Sequence, residues 1–262
     1  MKVWLEGIGI WGPGMTGWAG CRARLTCGSG KLDDFREPPA AVLPAQERRR
    51  STASVRLAAE VAAQVCAAAG RDAADYATVS ASSVGDLATV DAICRALVAD
   101  ARLLSPTRFH NSVHNAPGGY WSIVSGCEQP ANALAAGPAS FAAGLLEAAV
   151  QCALEARPVM LLVYDLPGPS PLAEAAGIGA GFAAALGLSP APAAGAPALE
   201  IRYDENQTPE TVMEDPALEA LRRGAPGARC LPLLSAVAGG AGGAVKLGMG
   251  AGSLAITVSP AQ

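Results

Sequence analysis

Thiols and imidazoles are the side chains here that most readily act as nucleophiles, bases or metal ligands. The seven cysteines are odd in number and contain no Cys-x-x-Cys pair, so they predict neither a zinc site nor a disulfide framework. They indicate a reducing compartment, which predicts a cytoplasmic protein. The two histidines, His110 and His114, would share one face of a helix at their spacing. No further ligand or carboxylate is close in sequence, which favours hydrogen bonding within a loop or interface over catalysis or metal binding.

A serine nucleophile is the second chemical possibility. The stretch Ser82-Ser83-Val84-Gly85-Asp86 has small residues at a predicted strand-to-helix junction, where a nucleophile such as Ser83 could lie. It lacks the Gly-x-Ser-x-Gly elbow, which favours a packing role. A stand-alone acyl transferase or hydrolase that uses a serine with His110 or His114 stays open as an alternative. The glycines between Gly239 and Gly243 lack the Lys-Ser/Thr ending of a phosphate loop, and no pattern predicts a cofactor.

Composition limits the class of protein. A chain of 262 residues with 51% hydrophobic and 16% charged residues predicts an ordered globular protein. The net charge of −4 argues against a nucleic-acid partner. The longest uncharged run, Ala175 to Leu199, contains three prolines and many glycines, so it predicts no membrane span.

Alternating strand and helix patterns must position these groups. The predicted strands are Lys2 to Ile10, Ala77 to Ser82, Asn132 to Ala136, Val159 to Tyr164, Ile178 to Leu188, Leu199 to Tyr203 and Leu254 to Val258. The predicted helices begin at Ser51, Gly85-Asp86, Asn115, Ser140 and Asp215-Pro216, and the first and last end at Gly70 and Gly224. This order predicts one α/β domain over residues 1–262, with a loop near 189–198. Phe141 to Glu155 is apolar nearly all round, which predicts a helix buried between sheets.

Several strings resemble a known family. The turn Gly126-Cys-Glu-Gln-Pro130, the strand from Asn132 and the helix from Ser140 resemble the middle of ketosynthases of the thiolase superfamily. Two longer strings are more similar to the chain-length factors of aryl polyene biosynthesis, a β-ketoacyl synthase-like N-terminal domain family. These strings are Ser105-Pro-Thr-Arg-Phe-His-Asn-Ser-Val-His-Asn-Ala-Pro-Gly-Gly-Tyr-Trp-Ser-Ile123 and Ala139-Ser-Phe-Ala-Ala-Gly-Leu-Leu-Glu-Ala148. The resemblance implies a thiolase-like layered fold of the α-β-α-β-α type, truncated relative to a full ketosynthase.

The resemblance also implies that catalysis is lost. Ketosynthases use a cysteine at the start of the buried helix and two histidines from their second half. Matching the turn and strand puts Pro138 at the position of the nucleophile, and the two histidine motifs are absent. The resemblance therefore implies no catalytic residue. Cys127 lies upstream in the turn and Cys152 lies deep in the helix, so neither replaces the nucleophile.

What the resemblance leaves is a structural role. Ketosynthases dimerise through the strand before the nucleophile. The resemblance therefore implies that this chain pairs with an active β-ketoacyl-ACP synthase and shapes the acyl tunnel of that partner. Acyl carrier protein would be involved only indirectly. Interface and tunnel candidates are Phe109, His110, His114, Asn115, Tyr120, Trp121, Asn132, Leu134 and Ala136. Ordinary core packing is an equal alternative for the three aromatic residues. Arg48 to Arg50 is more consistent with a solvated helix start than with a carrier-protein patch. A homodimeric scaffold that binds acyl chains or carrier protein stays open.

Overall fold

A computed structural model describes residues 1–28, 30–99 and 103–261 of the chain. The strands are β1 Lys2–Trp11, β2 Ala77–Ala81, β3 Ala131–Leu134, β4 Val159–Asp165, β5 Phe182–Ser189, β6 Ala198–Asp204, β7 Gly243–Met249 and β8 Gly252–Ser259. The helices are α1 Trp18–Cys27, α2 Ala45–Arg50, α3 Ala53–Ala69, α4 Leu87–Val98, α5 Pro106–Asn111, α6 Ala116–Ser125, α7 Ser140–Glu155, α8 Leu172–Ala176, α9 Pro216–Gly224 and α10 Leu231–Gly239. Short 3₁₀ turns lie at Ala73–Asp75, Gly137–Ala139 and Pro226–Cys230.

The strands form one eight-stranded sheet in the order β3-β2-β4-β5-β1-β6-β8-β7. Strands β3, β2 and β4 run parallel, and every other neighbouring pair is antiparallel. Because parallel strands end at the same edge of a sheet, the segments that follow β2, β3 and β4 are brought together. The predicted α/β class is therefore confirmed.

Helices cover both faces of this sheet. One face packs against α3 and α6, where Val61 and Trp121 are buried. The other packs against α7 and α10, with Phe141 and Leu145 at 0% exposure. Helix α7 contacts β2 and β4 near one end of the sheet and also β6 and β7 near the other. Strands lie about 4.8 Å apart, so one helix reaches both ends only where the sheet curves around it. The helix predicted between two sheets thus lies between two arms of one curved sheet.

Helix starts differ from the prediction in two places. Thr52, not Ser51, caps α3, because the Thr52 hydroxyl accepts the backbone N–H of Val55. Ser51 instead follows α2. Ser140 is the first residue of α7 rather than its cap. The caps Asp86 and Asp215, and the ends at Gly70 and Gly224, are confirmed.

Strand bounds also shift. β3 ends at Leu134 rather than Ala136, because the chain then turns into the 3₁₀ segment before α7. The predicted strand from Ile178 begins only at Phe182. Helices α1 and α10 and strand β7 are not predicted, since their hydrophobic patterns are short or rich in Ala and Gly. In the part of the chain that the structure describes, no helix combines the length and apolarity needed to cross a lipid bilayer.

Candidate functional site

The segments after β2, β3 and β4 meet at one edge of the sheet, and a buried carboxylate organises them. Asp165 ends β4, is 1% exposed, and its Oδ1 accepts the Ser82 hydroxyl at 3.0 Å. The same oxygen accepts the Ser83 backbone N–H at 2.8 Å and the Ser83 hydroxyl at 2.7 Å. Burial raises the pKa of the Asp165 carboxyl, and these hydrogen bonds partly oppose that rise. The turn after β2 is therefore held around Asp165.

Ser83 is not arranged as a nucleophile. Its hydroxyl donates to Asp165, whereas an activated serine donates to a base such as histidine. None of the hydrogen bonds among the described residues joins Ser83 to His110 or His114. The geometry favours the packing role for Ser83 and gives no support to a serine hydrolase.

The histidines do not share a helix face. His110 lies in α5 and is exposed, and its ring meets that of Tyr120 edge-on with 6.1 Å between centroids. His114 lies beyond the end of α5, because that helix stops at Asn111. The Nε2 of His114 donates to the Leu134 carbonyl at 2.9 Å, since a carbonyl can only accept. His114 is therefore hydrogen-bonded from the turn before α6 to the end of β3, not within a single loop.

His114 also joins the end of β3 to the turn after β2. Gly85 has φ of +72°, and a Cβ atom there would lie 3.2 Å from Nδ1 of His114. A side chain at position 85 would thus be strained and would crowd the ring. The hydroxyl of Tyr164 donates to the His114 carbonyl at 3.2 Å. These contacts set the position of Leu134, the last residue of β3.

The start of α7 carries the residue expected at the nucleophile's position. Pro138 is exposed in the 3₁₀ turn between β3 and α7. The nearest hydroxyl in sequence, Ser140, is fully buried; it donates to the Gly137 carbonyl at 2.8 Å and accepts the Ala136 N–H at 3.0 Å. That hydroxyl holds the turn and is not free to attack.

Neither candidate thiol lies at this turn. Cys127 lies before the start of β3, at the other end of that strand from the turn, and its Sγ donates to the Tyr76 carbonyl at 3.1 Å. Cys152 is fully buried in the last part of α7, and burial raises the pKa of its thiol to about 12. A thiol with that pKa is not a thiolate near neutral pH. That neither cysteine replaces the nucleophile stays a prediction.

A cleft of about 600 Å³ opens beside Pro138. Ala136, Pro138 and Ala139 line one side, and the segment 207–210 and the turn between β7 and β8 line the other. Arg229 lines the cleft as well and donates to both carboxylate oxygens of Glu210 at 2.9 and 3.1 Å. Neither a cysteine nor a histidine lines the cleft, and the described residues contain no group of three or more His, Cys, Asp or Glu placed to bind a metal ion.

The aromatic candidates divide between core and surface. Tyr120 and Trp121 are 6% and 1% exposed and pack with α3, which favours the core alternative for both. The Tyr120 hydroxyl donates to the Asn111 side chain at 3.1 Å. Phe109 is 62% exposed on α5. Phe109 is therefore the aromatic candidate that another protein could contact directly.

The remaining candidates lie on or near β3, the edge strand of the sheet. Asn132 and Ala136 are exposed, Leu134 is half-buried, and Asn115 is exposed at the start of α6. Ile123 on α6, which packs against β3, is 71% exposed. The site thus combines an edge strand with apolar surface.

The β-ketoacyl synthase N-terminal domain model matches residues 23–229, most of the chain. The chain belongs to this family. No curated protein sequence matches this ketosynthase-like chain. Among solved structures, it is similar to the ketosynthase (ApeO) in complex with its chain length factor (ApeC) from Xenorhabdus doucetiae, with TM-score 0.71, 20% identity and 99% of each chain covered. The ishigamide ketosynthase/chain length factor gives TM-score 0.68 at 14% identity, again with 99% of each chain covered.

A third similar structure is the type II PKS acyl-carrier protein in complex with its ketosynthase, AntDE:AntF, with TM-score 0.74, 10% identity and 99% of each chain covered. At these identities the likeness establishes the fold, and the expected thiolase-like ketosynthase fold is confirmed. Asp165 and the Glu210–Arg229 pair are contributors to the site that the sequence patterns miss. A lone carboxylate at the end of the apolar strand Val159–Asp165 is the one sequence signal that points to Asp165.

Proposed function

We propose that this chain is a catalytically inactive chain-length factor that pairs with an active β-ketoacyl-ACP synthase and shapes its acyl tunnel in aryl polyene biosynthesis. The observation that carries the proposal is Pro138 at the turn before α7, the position at which the resemblance puts the family's cysteine. A proline side chain can neither attack a thioester nor be acylated. With Ser140 buried and hydrogen-bonded, that turn offers no substitute.

The proposed partner surface is the outer edge of β3, with which no strand among the described residues pairs. On one side of β3, the Pro130 carbonyl accepts the N–H of Thr78 in β2, and the Leu134 carbonyl accepts the N–H of Ser82, the residue that follows β2. Because backbone groups alternate in direction along a strand, Ala131 and Ala133 turn their N–H and C=O groups away from β2. An open edge of this kind is a template for a strand of another chain. The flanking apolar residues Phe109 and Ile123 supply surface that a partner would bury.

Phe109 is the residue best placed to reach a partner's tunnel. It is exposed and follows Arg108 on α5, and α5 is tied to the rest of the chain by the Asn111 side chain, which donates to the Arg50 carbonyl at 2.8 Å. A large rigid side chain on a fixed helix can limit the depth of a neighbouring cavity. Tyr120 and Trp121 would then hold α6 against α3 rather than line the tunnel.

Partner binding is tested with Ala133→Pro after co-expression with a neighbouring ketosynthase. Proline removes the outward N–H of residue 133, whereas the N–H groups that face β2 belong to Asn132 and Leu134. We expect co-purification to weaken by about tenfold or more from lost strand pairing. Ala133→Ser keeps the N–H and is the matched control. If wild-type chain elutes as a stable separate species, or as a homodimer, the heterodimer proposal fails.

Catalytic silence and tunnel shape have separate tests. Purified chain with acyl and malonyl carrier-protein thioesters should give no condensation product, and turnover by the chain alone would overturn the proposal.

In the complex, Phe109→Ala should lengthen the product while binding persists. Trp121→Phe, a buried change, should leave product length unchanged. Identical products from Phe109→Ala and wild type would contradict the role of Phe109.

A further inference from the structure

The strand β3 contains one polar side chain whose presence the fold of the single chain does not explain. Its sequence is Ala-Asn-Ala-Leu, and Asn132 is exposed. The side-chain amide of Asn132 makes no hydrogen bond to any described residue. Asparagine is disfavoured in strands, so this residue weakens β3, and no hydrogen bond of its amide to a described residue offsets that loss.

The direction of the backbone groups defines how another strand can pair with β3. Within β3, Ala131 and Ala133 turn outward, because the Pro130 and Leu134 carbonyls accept the N–H groups of Thr78 and Ser82 and the direction alternates along the strand. A strand related by a two-fold axis runs antiparallel. In the register that pairs both outward residues, Ala131 lies opposite the partner residue that corresponds to Ala133, and Ala133 lies opposite the one that corresponds to Ala131. The two-fold axis then passes beside Asn132.

In that register Asn132 lies directly opposite the central residue of the partner strand. The two form a non-hydrogen-bonded pair, with Cα atoms about 4.5 Å apart and side chains on the same face. Asn132 is the register neighbour of Val79, which packs on the α7 side of the sheet. The amide therefore points to the face on which both subunits carry their α7 helices.

We propose that Asn132 fixes the register of the subunit interface by a hydrogen bond across the pseudo-two-fold axis to the central residue of the ketosynthase's edge strand. This rests on the proposed function. A slip by one residue would turn the partner's side chains to the opposite face and leave the amide buried without a partner. The proposal requires an amide or hydroxyl side chain at the centre of the partner strand.

Disulfide trapping tests the register directly. In the co-expressed complex, Asn132→Cys is combined with a cysteine at the central residue of the partner's edge strand, and oxidation should link the two subunits, because a pair at that distance can form a disulfide. Ala133→Cys with the same partner cysteine is the matched control and should not link. The chain without an added cysteine measures background from the exposed Cys27 and Cys94.

The outcomes separate this inference from the proposed function. Linkage through position 133, or at neither position while the complex still co-purifies, overturns the register and leaves the pairing intact. Self-linked dimers of Asn132→Cys chain would show that a second copy occupies the edge, which overturns the ketosynthase as occupant. Absence of any complex with wild-type chain refutes the proposed function itself.

Affinity gives a second measurement. Asn132→Ala removes the amide and should weaken binding by about three- to tenfold, the range of one net hydrogen bond. Asn132→Ser keeps a hydrogen-bonding group and should restore part of that loss. Asn132→Ala should leave the unfolding midpoint of the isolated chain unchanged or slightly raised. Equal affinities for Ala, Ser and wild type would contradict the proposal.

Discussion

The two edge strands of the sheet, β7 and β3, differ in whether other segments of the chain cover them. At the β7 edge, the backbone N–H of Thr211 donates to the Lys246 carbonyl and the Lys246 N–H donates to the Thr211 hydroxyl, each at 2.9 Å. Gln207 and Thr208 fasten the same segment to the β7–β8 turn region through Gly250 and Ser253. At the β3 edge, within the described residues, nothing covers Ala131 and Ala133.

We infer from this difference that the β3 edge, rather than the β7 edge, is the one that pairs with another chain. Native proteins cover or block sheet edges because exposed backbone groups recruit other strands. Here the covering segment 207–211 is held by ion pairs: Glu210 binds Arg222 at 2.7 Å and Arg229 at 2.9 Å. The β7 edge is thus closed by the chain's own residues, and the β3 edge stays available.

The largest expected effect comes from breaking the ion pairs of the covered edge. Arg222 is 5% exposed and also donates to Glu219 at 2.7 and 2.8 Å. Arg222→Met should lower the free energy of unfolding by about 3 kcal/mol, the low end for a broken buried pair, because both glutamates keep some solvent contact. Chemical denaturation measures this. Arg223→Met, at an exposed neighbour, is the control and should change stability little.

A smaller loss is expected near the open edge. Asp165→Ala would leave the Ser82 hydroxyl and both Ser83 donors without their acceptor, which should lower the free energy of unfolding by about 2 kcal/mol. Asp165→Asn keeps an acceptor and buries no charge, so it should be milder than Asp165→Ala. Denaturant titration of both variants distinguishes them. Equal losses would mean that the acceptor does not hold the turn.

Acid should weaken the Glu219–Arg222 ion pair that supports the covered edge. Hydrogen bonds from Arg222 are the main cause that lowers the pKa of Glu219 from 4.5 to about 2. Since the folded-state pKa is the lower one, Glu219 stabilises the fold above pH 4.5, and that contribution is lost as pH falls toward 2. Glu219→Gln should flatten this part of the curve of unfolding free energy against pH. A curve parallel to wild type would refute the assignment.

The smallest effect on stability separates the two edges most clearly. Ile123→Ser, at a residue 71% exposed beside β3, should change stability by less than about 0.5 kcal/mol but weaken ketosynthase binding. Val212→Ser, at a residue 58% exposed beside the covered edge, should change neither. Pull-down and thermal unfolding measure the two properties. Weakened binding by Val212→Ser would place the partner at the wrong edge.

Much of the fold follows from local patterns. Asp86, Gly70 and the Asp215-Pro216 pair mark helix ends because capping acts within one turn. Strand β4 is recognisable because it is a continuous apolar run that ends at Asp165. Strand β7 is not, because Gly243 to Met249 alternates weakly and its pairing depends on β8, an interaction the residues do not encode locally. The helix face assumed for His110 and His114 is wrong because α5 ends between them.

By itself the sequence determined the family resemblance, the proline at position 138 and the absence of the two histidine motifs, because these are matters of residue type and order. Only the tertiary structure decided which groups meet. It buried Tyr120 and Trp121 while exposing Phe109, and it placed both Ser83 donors on Asp165. Among the described residues, it also closed one sheet edge and left the other open. The reason is that burial and edge coverage arise from contacts between segments far apart in the chain, as when Glu210 closes onto Arg229 and Gly248 leaves the space that its carboxylate fills.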